Sequence, residues 1–225
     1  MVTDGLIMHV DPLNTLSEDG TVTVTDLIGD YDLTKQNTPS NLTSADNSWD
    51  FDGVNECIGT SAAAPWINRT GFSMGGWAYP TDNVADGTVV GGWSGGFDEF
   101  LLWWDVGGTP NFRLIAKNAL LTSVSTSDVT ACGTVATWNH VYVTWGASNV
   151  KLYLNGVLNQ TVSNGSQGTI GTSTGGGWSI GHQRYPATGS ARYFDGAIGP
   201  ISAYDRELTA AEVTQNYNAT KNRFL

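Results

Sequence analysis

The stretch VKLYLNGVLNQTV, residues 150–162, decides the fold class. Val150, Leu152 and Leu154 recur at every second position, so a strand would place all three on one face. Asn155-Gly156 then supplies the two positive-φ residues of a type I′ turn, and alternation resumes in VLNQTV. A β-hairpin is predicted. Upstream, WNHVYVTW at 138–145 has the same alternation, and so do GLIMHV, SWDFDG, FSMGGWAYP, TVVGGW, EFLLWWDV, FRLIAKN, WSIGH and AIGPISAYD. Each is bounded by Gly, Asn, Asp or Pro, the punctuation of antiparallel strands.

The chain has 225 residues, with no repeat, heptad pattern or low-complexity linker dividing it, so residues 1–225 read as a single domain. SAAAPWINR, at 61–69, loses the alternation and is read as a loop across a sheet edge. One helix closes the chain: in YDRELTAAEV, Thr209 is followed three residues later by Glu212, the spacing of a capping box. The architecture predicted is all-β, a two-sheet antiparallel jelly-roll sandwich with a short C-terminal helix covering an end or edge.

Charged residues are 14% of the chain and the net charge is −11, a balance that repels nucleic-acid phosphates. The first residues, MVTDGLIMHV, contain no basic segment followed by an apolar run, so no export signal is read, and no apolar stretch approaches the roughly 20 residues of a membrane span. Neither nucleic acid nor membrane insertion is expected. Cys57 and Cys132 leave open a bridge or two buried thiols.

GLIMHVDPLN, DLIGDYDLT, WDFDGVNE, FSMGGWAYP, WNHVYVTW, VKLYLNGV, WSIG and YFDGAIGPISAYDRELTAAEV, in this order, resemble the laminin-G-like or concanavalin A-like jelly rolls, pentraxins included. The resemblance implies two curved sheets of six or seven strands each, and a domain that binds glycans or proteins, sometimes through calcium. The closing VTQNYNATKNRF is similar to the ends of such domains in structural proteins of tailed bacteriophages. Two departures stand out. Pentraxins carry acidic and amide calcium ligands after the strand matching WSIG, where this chain has His182, Gln183 and Arg184, and many relatives have an acidic pair where it has Gly199-Pro200.

Retaining glycosidases need two carboxylates about 5 to 5.5 Å apart. The related glucanases place them on a Glu-x-Asp-x-x-Glu strand, and none of Glu18, Glu56, Glu99, Glu207 or Glu212 has Asp two positions on. Asp98, Glu99 and Asp105 are read as solvated strand ends. His9 and His140 are read as strand histidines with ordinary hydrogen bonds. No catalytic residue is assigned. No cofactor is required, although structural calcium would find oxygen donors at Asp46, Asp50, Asp52, Asn55 and Glu56, or at Asp82 and Asp86.

Binding residues are sought among aromatics and loop cations. Trp103 and Trp104 are adjacent, so a strand sends them to opposite faces, one into the core and the other to a second layer or a partner. The loop HQRYPATGSARY sets His182, Arg184, Tyr185, Arg192 and Tyr193 together in an acidic chain, a composition suited to a carboxylated or sulfated sugar or an acidic protein patch. Trp103 and these five are the candidate site. With the resemblance, they point to a non-enzymatic binding or structural module on a phage virion surface, a head decoration or appendage component within a larger assembly. Its partners would be other virion proteins or a host glycan. The alternative is an extracellular carbohydrate-binding domain of a secreted bacterial protein.

Overall fold

The computed structural model describes residues 1–37, 39–42, 48–81, 85–94, 97–107, 110–117, 123–125, 132–165, 169–170, 177–187 and 192–225. In chain order the strands are β1 (Leu6–Val10), β2 (Thr23–Val24), β3 (Leu33–Gln36), β4 (Ser40–Leu42), β5 (Ser48–Asp52), β6 (Cys57–Thr60), β7 (Phe72–Pro80) and β8 (Gly87–Ser94). They continue with β9 (Phe97–Asp105), β10 (Asn111–Lys117), β11 (Ser123–Ser125), β12 (Asn139–Trp145), β13 (Asn149–Leu154), β14 (Val157–Ser163), β15 (Trp178–Ile180) and β16 (Asp195–Tyr204). Helix α1 (Ala210–Thr220) and a 3-10 turn (Lys221–Arg223) close the chain.

The strands form two antiparallel sheets of eight, more than the six or seven expected. The first runs β14-β13-β12-β7-β16-β5-β4, with β1 also paired to β16, and the second runs β11-β10-β9-β8-β15-β6-β3-β2. The predicted hairpin is β13–β14, with Asn155 at φ 51° and Gly156 at φ 78°. Val150 and Leu152 join the core, which lies between the sheets and includes Trp49, Phe51, Phe72, Met74, Phe100, Val141, Trp145 and Trp178. The segment around Pro65 is not an edge loop. It drives Trp66 into the core, fully buried, stacked on Phe100 at 4.9 Å and edge-on to Phe72 and Trp178. An indole that large is drawn inward by its apolar area, whatever the local backbone.

The capping box forms as read: Thr209 accepts from the Glu212 amide and Glu212 accepts from the Thr209 amide. Arg206 holds the same carboxylate through both terminal nitrogens, at 3.0 and 2.6 Å, and keeps Glu212 down at a pKa of about 2. Thr209→Ala removes one cap bond and is expected to cost about 1 kcal/mol in urea unfolding.

The helix lies over the outer face of the first sheet and reaches its edge at the β13–β14 turn, where Thr214 Oγ1 donates to the Gly156 carbonyl. Tyr142, Tyr153 and Tyr204 project to that side and form a second apolar cluster with Val2, Leu208 and Val213. Trp77 stacks on Phe224 at 4.7 Å and donates to Thr220 Oγ1 at 2.8 Å. An uncovered aromatic face is a larger hydrophobic penalty than a hydrated edge, which decides where the helix goes. Gly199, in place of the relatives' acidic pair, gives Phe224 its seat: a Cβ there would come within 2.8 Å of the ring. Among the described residues no helix is long and apolar enough to cross a membrane.

Candidate functional site

On the second sheet, β9 alternates so that Phe100, Leu102 and Trp104 enter the core. Trp103 therefore faces outward, paired with Thr88 on β8 and Arg113 on β10. Residues 181–187 and 192–194 return across this outer face. The Thr88 amide donates to the Arg192 carbonyl at 3.1 Å, and the Phe194 amide to the Gly181 carbonyl at 2.9 Å.

This return brings the candidates together. The Arg192 guanidinium lies 4.2 Å from the centre of the Trp103 ring, and Arg113 stands 5.9 Å from the same ring. Arg192 reaches that position from left-handed backbone, φ 67°, which is costly for a residue bearing a Cβ. Below it Tyr193 stacks on His182 at 4.2 Å, and Tyr193 packs with Cys57, Ala187 and Tyr185. Burial pushes the Tyr193 phenol up, and the nearby Arg184 charge pulls it back. The His182 Nδ1 lies against the backbone of Arg184, while Ser179 Oγ donates to the His182 carbonyl at 2.7 Å, so this Ser and His share no side-chain bond of the catalytic kind.

Exposure separates supports from contacts. His182 is fully buried, and Trp103 and Tyr193 are only 5% and 6% exposed, whereas Arg184, Tyr185 and Arg192 are half-buried. The rings are not platforms open to solvent; Trp103 instead backs the half-buried guanidinium groups of Arg192 and Arg113. Arg113 completes the group through an ion pair with Asp105. Asp105, expected as a solvated end, is 6% exposed, because its outward position on β9 places it under that arginine. Sequence reading misses Arg113, whose only signal is its central place on β10, a position that alternation alone sends outward.

Cys57 and Cys132 are free, buried thiols, both pushed up to a pKa of about 12 by burial. Glu18, Glu56, Glu207 and Glu212 are held in the fold by Lys35, the Asp52 amide, Lys151 and Arg206. The Glu99 and Asp98 side chains, Asp46 and Asp82 lie outside what is described. Asp50 and Glu56 are raised, chiefly by burial and then by neighbouring carboxylates such as Asp52. Among the described residues no group of three or more His, Cys, Asp or Glu has the geometry to hold a metal ion. His9 makes the ordinary strand bond expected of it, to the Ile201 backbone, yet His9 and His140 each keep a buried Nδ1 with no partner among the described residues.

A family model described as the concanavalin A-like lectin/glucanases superfamily, of laminin-G type, matches residues 52–214. No curated protein sequence matches the chain. Among solved structures, the receptor-binding domain of botulinum neurotoxin C/D mosaic serotype aligns with a TM-score of 0.70 and 12% identity, over 96% of this chain and 51% of that one. A botulinum neurotoxin type C structure, described with cell entry dependent on two ganglioside molecules, gives 0.70 and 14% over 96% and 51%. Trypanosoma rangeli sialidase with 2,3-difluorosialic acid gives 0.65 and 15% over 99% and 34%. The chain thus spans about half the length of the toxin chains and a third of the sialidase chain, and the likeness at these identities is one of fold. With the family model covering most of its length and the two-sheet topology in agreement, the chain belongs to the concanavalin A-like lectin/glucanase superfamily.

Proposed function

We propose that the chain is a non-enzymatic binding module that recognises a carboxylated or sulfated glycan through the outer face of its second sheet. The observation that carries this is the gathering of two guanidinium groups around one indole, Arg192 over Trp103 and Arg113 beside it with Asp105 as its ion-pair partner, with Arg184 near the adjoining Tyr193, in a chain of net charge −11. Guanidinium forks match carboxylate and sulfate geometry, and aromatic support holds them in place before the ligand arrives. The left-handed backbone at Arg192 supports the same reading, since such strain collects at binding sites. Structural relatives described with gangliosides and with a sialic acid derivative add support from the ligands of this fold.

As for setting, we propose display on a virion surface, as a head decoration or appendage component facing a host glycan. The support is the likeness of the C-terminal segment to phage structural domains. A second reading, a sugar-binding domain within a longer secreted bacterial protein, is favoured by the fold's occupying only part of the toxin and sialidase chains. Co-purification with intact particles at a stoichiometry set by particle symmetry separates the two.

The site itself is tested on an array of sialylated, uronate-bearing, sulfated and neutral glycans. Binding to the anionic members, weakened by salt, is expected. Arg192→Ala should weaken it about 10- to 100-fold, the worth of a hydrogen bond to a charged group, and Arg192→Lys should not restore it fully. Equal binding to neutral glycans, or full binding by Arg192→Ala, would reject the site.

A further inference from the structure

Beneath α1 and the 3-10 turn, on the side of the molecule away from Trp103, lies a cavity of about 20 Å³ lined by His9, Trp77, His140, Ser202, Asn216 and Thr220. A water molecule needs roughly 10–15 Å³ and two to four polar partners, so the cavity has room for one. His140 is 3% exposed, and the orphaned Nδ1 atoms of His140 and His9 are the polar groups the fold leaves unmatched there. The lining carries no carboxylate that would welcome a proton on His140.

The capping segment is tied down at its start by Ser73 Oγ, which accepts from the Leu208 amide and donates to the Arg206 carbonyl, by Lys151 on Glu207 at 2.7 Å and by Arg206 on Asp4 at 3.0 Å, and at its end by Arg223 on Asp11 at 2.7 Å. Trp77 Nε1 donates to Thr220 Oγ1, Thr214 Oγ1 to the Gly156 carbonyl, and the Val2 amide to Asn216 Oδ1. The apolar part of its hold is Leu208 and Val213 against the tyrosine cluster, Phe224 on Trp77 at 4.7 Å and Tyr217 on Trp77 at 5.7 Å, while His140 lies 5.7 Å from Tyr217, 5.2 Å from the Trp77 ring and 5.5 Å, stacked, from Tyr142. His140 is thus wedged between Tyr217 of the cap and Trp77 and Tyr142 of the sheet.

We propose that residues 205–225 form an acid-released cap, held shut by neutral His140 and His9 around a hydrated cavity and opened when they are protonated. Opening would uncover the aromatic face made by Trp77, Tyr142 and Tyr204. Burial keeps His140 at a pKa of about 3, well under its usual 6.5, and also lowers His9, against the opposing pull of Asp11 and Asp26. A group with a depressed pKa in the closed form binds more protons in the open form. Closure is therefore strongest above pH 6.5 and weakens as pH falls toward 3. Around pH 4.5 the His140 contribution alone raises the opening constant about 100-fold over its neutral value. Other charges face this region: Arg223 paired with Asp11 at 2.7 Å, Lys221 over Tyr217, the Met1 amino group, and the Arg206–Glu212 pair at the helix start. Glu212, at about 2, stays ionised through the window, so its clamp does not explain a release there.

The test is amide hydrogen exchange of the whole chain at neutral pH and near pH 4.5, corrected for intrinsic rates, on wild type and His140→Gln. The expected result is an approximately 100-fold loss of protection confined to 205–225, with β7 and β12 unchanged, and loss of most of that pH effect in His140→Gln. Loss of protection in cap and strands together, or an unchanged pH dependence in the variant, would overturn the proposal. Should His140→Gln fail to fold, NMR titration of His140 in the wild type decides: protonation with an ordinary pKa while the helix remains docked would overturn it equally.

Discussion

Trp66→Ala is expected to lower unfolding stability by about 3–5 kcal/mol, measured by urea or thermal denaturation. The upper part of that range applies because the surroundings cannot close on the void. Phe100, Phe72 and Trp178 sit on strands whose registers are fixed by backbone ladders, and the indole rests against Gly92, where a Cβ would stand 2.7 Å from its Cζ2. Trp66→Phe keeps a ring against Phe100 and should recover much of the loss. A change under about 1 kcal/mol for the alanine variant would mean that the indole is not in the core.

Glu18→Ala should be as damaging, for a different reason. Glu18 is 5% exposed and accepts from Lys35 Nζ at 2.6 Å, from Trp49 Nε1 at 2.7 Å and from the Gly20 amide at 3.0 Å. Its removal leaves a buried ammonium and an indole N–H unmatched, which costs about 3–5 kcal/mol. Replacing both partners, as Glu18→Leu with Lys35→Met, should cost much less, because no charge is then stranded. Lys151 and Glu207 form a pair of similar length, 2.7 Å, but with side chains 31% and 34% exposed, and breaking it is expected to cost about 0–1 kcal/mol. Burial, not distance, separates the two cases.

These residues also show where sequence reading stops. The hairpin at Asn155-Gly156, the cap at Thr209 and Glu212, and the opposite facing of Trp103 and Trp104 are local, so period and turn chemistry disclose them. Trp66 lies in a stretch with no period, and its destination is set by rings from three other segments. Glu18 finds Lys35 and Trp49 only through tertiary folding, and β3 (LTKQ) is too short and polar to announce itself as a strand. The site divides in the same way. Composition marks the arginines between 182 and 193, and the tryptophan pair marks Trp103. That Arg192 lies over Trp103 depends on β15 pairing with β8, a register no local signal contains.

Whether the guanidinium groups around Trp103 receive an anionic sugar is decided by NMR titration of labelled protein with a sialylated oligosaccharide and its neutral counterpart. The Arg192 and Arg113 side-chain signals and the Trp103 indole are expected to move with the sialylated sugar alone, with the sugar recovered intact. Shifts confined to the groove of about 380 Å³ beside Leu158 and Leu208, equal shifts with the neutral sugar, or cleavage of the glycan would contradict it.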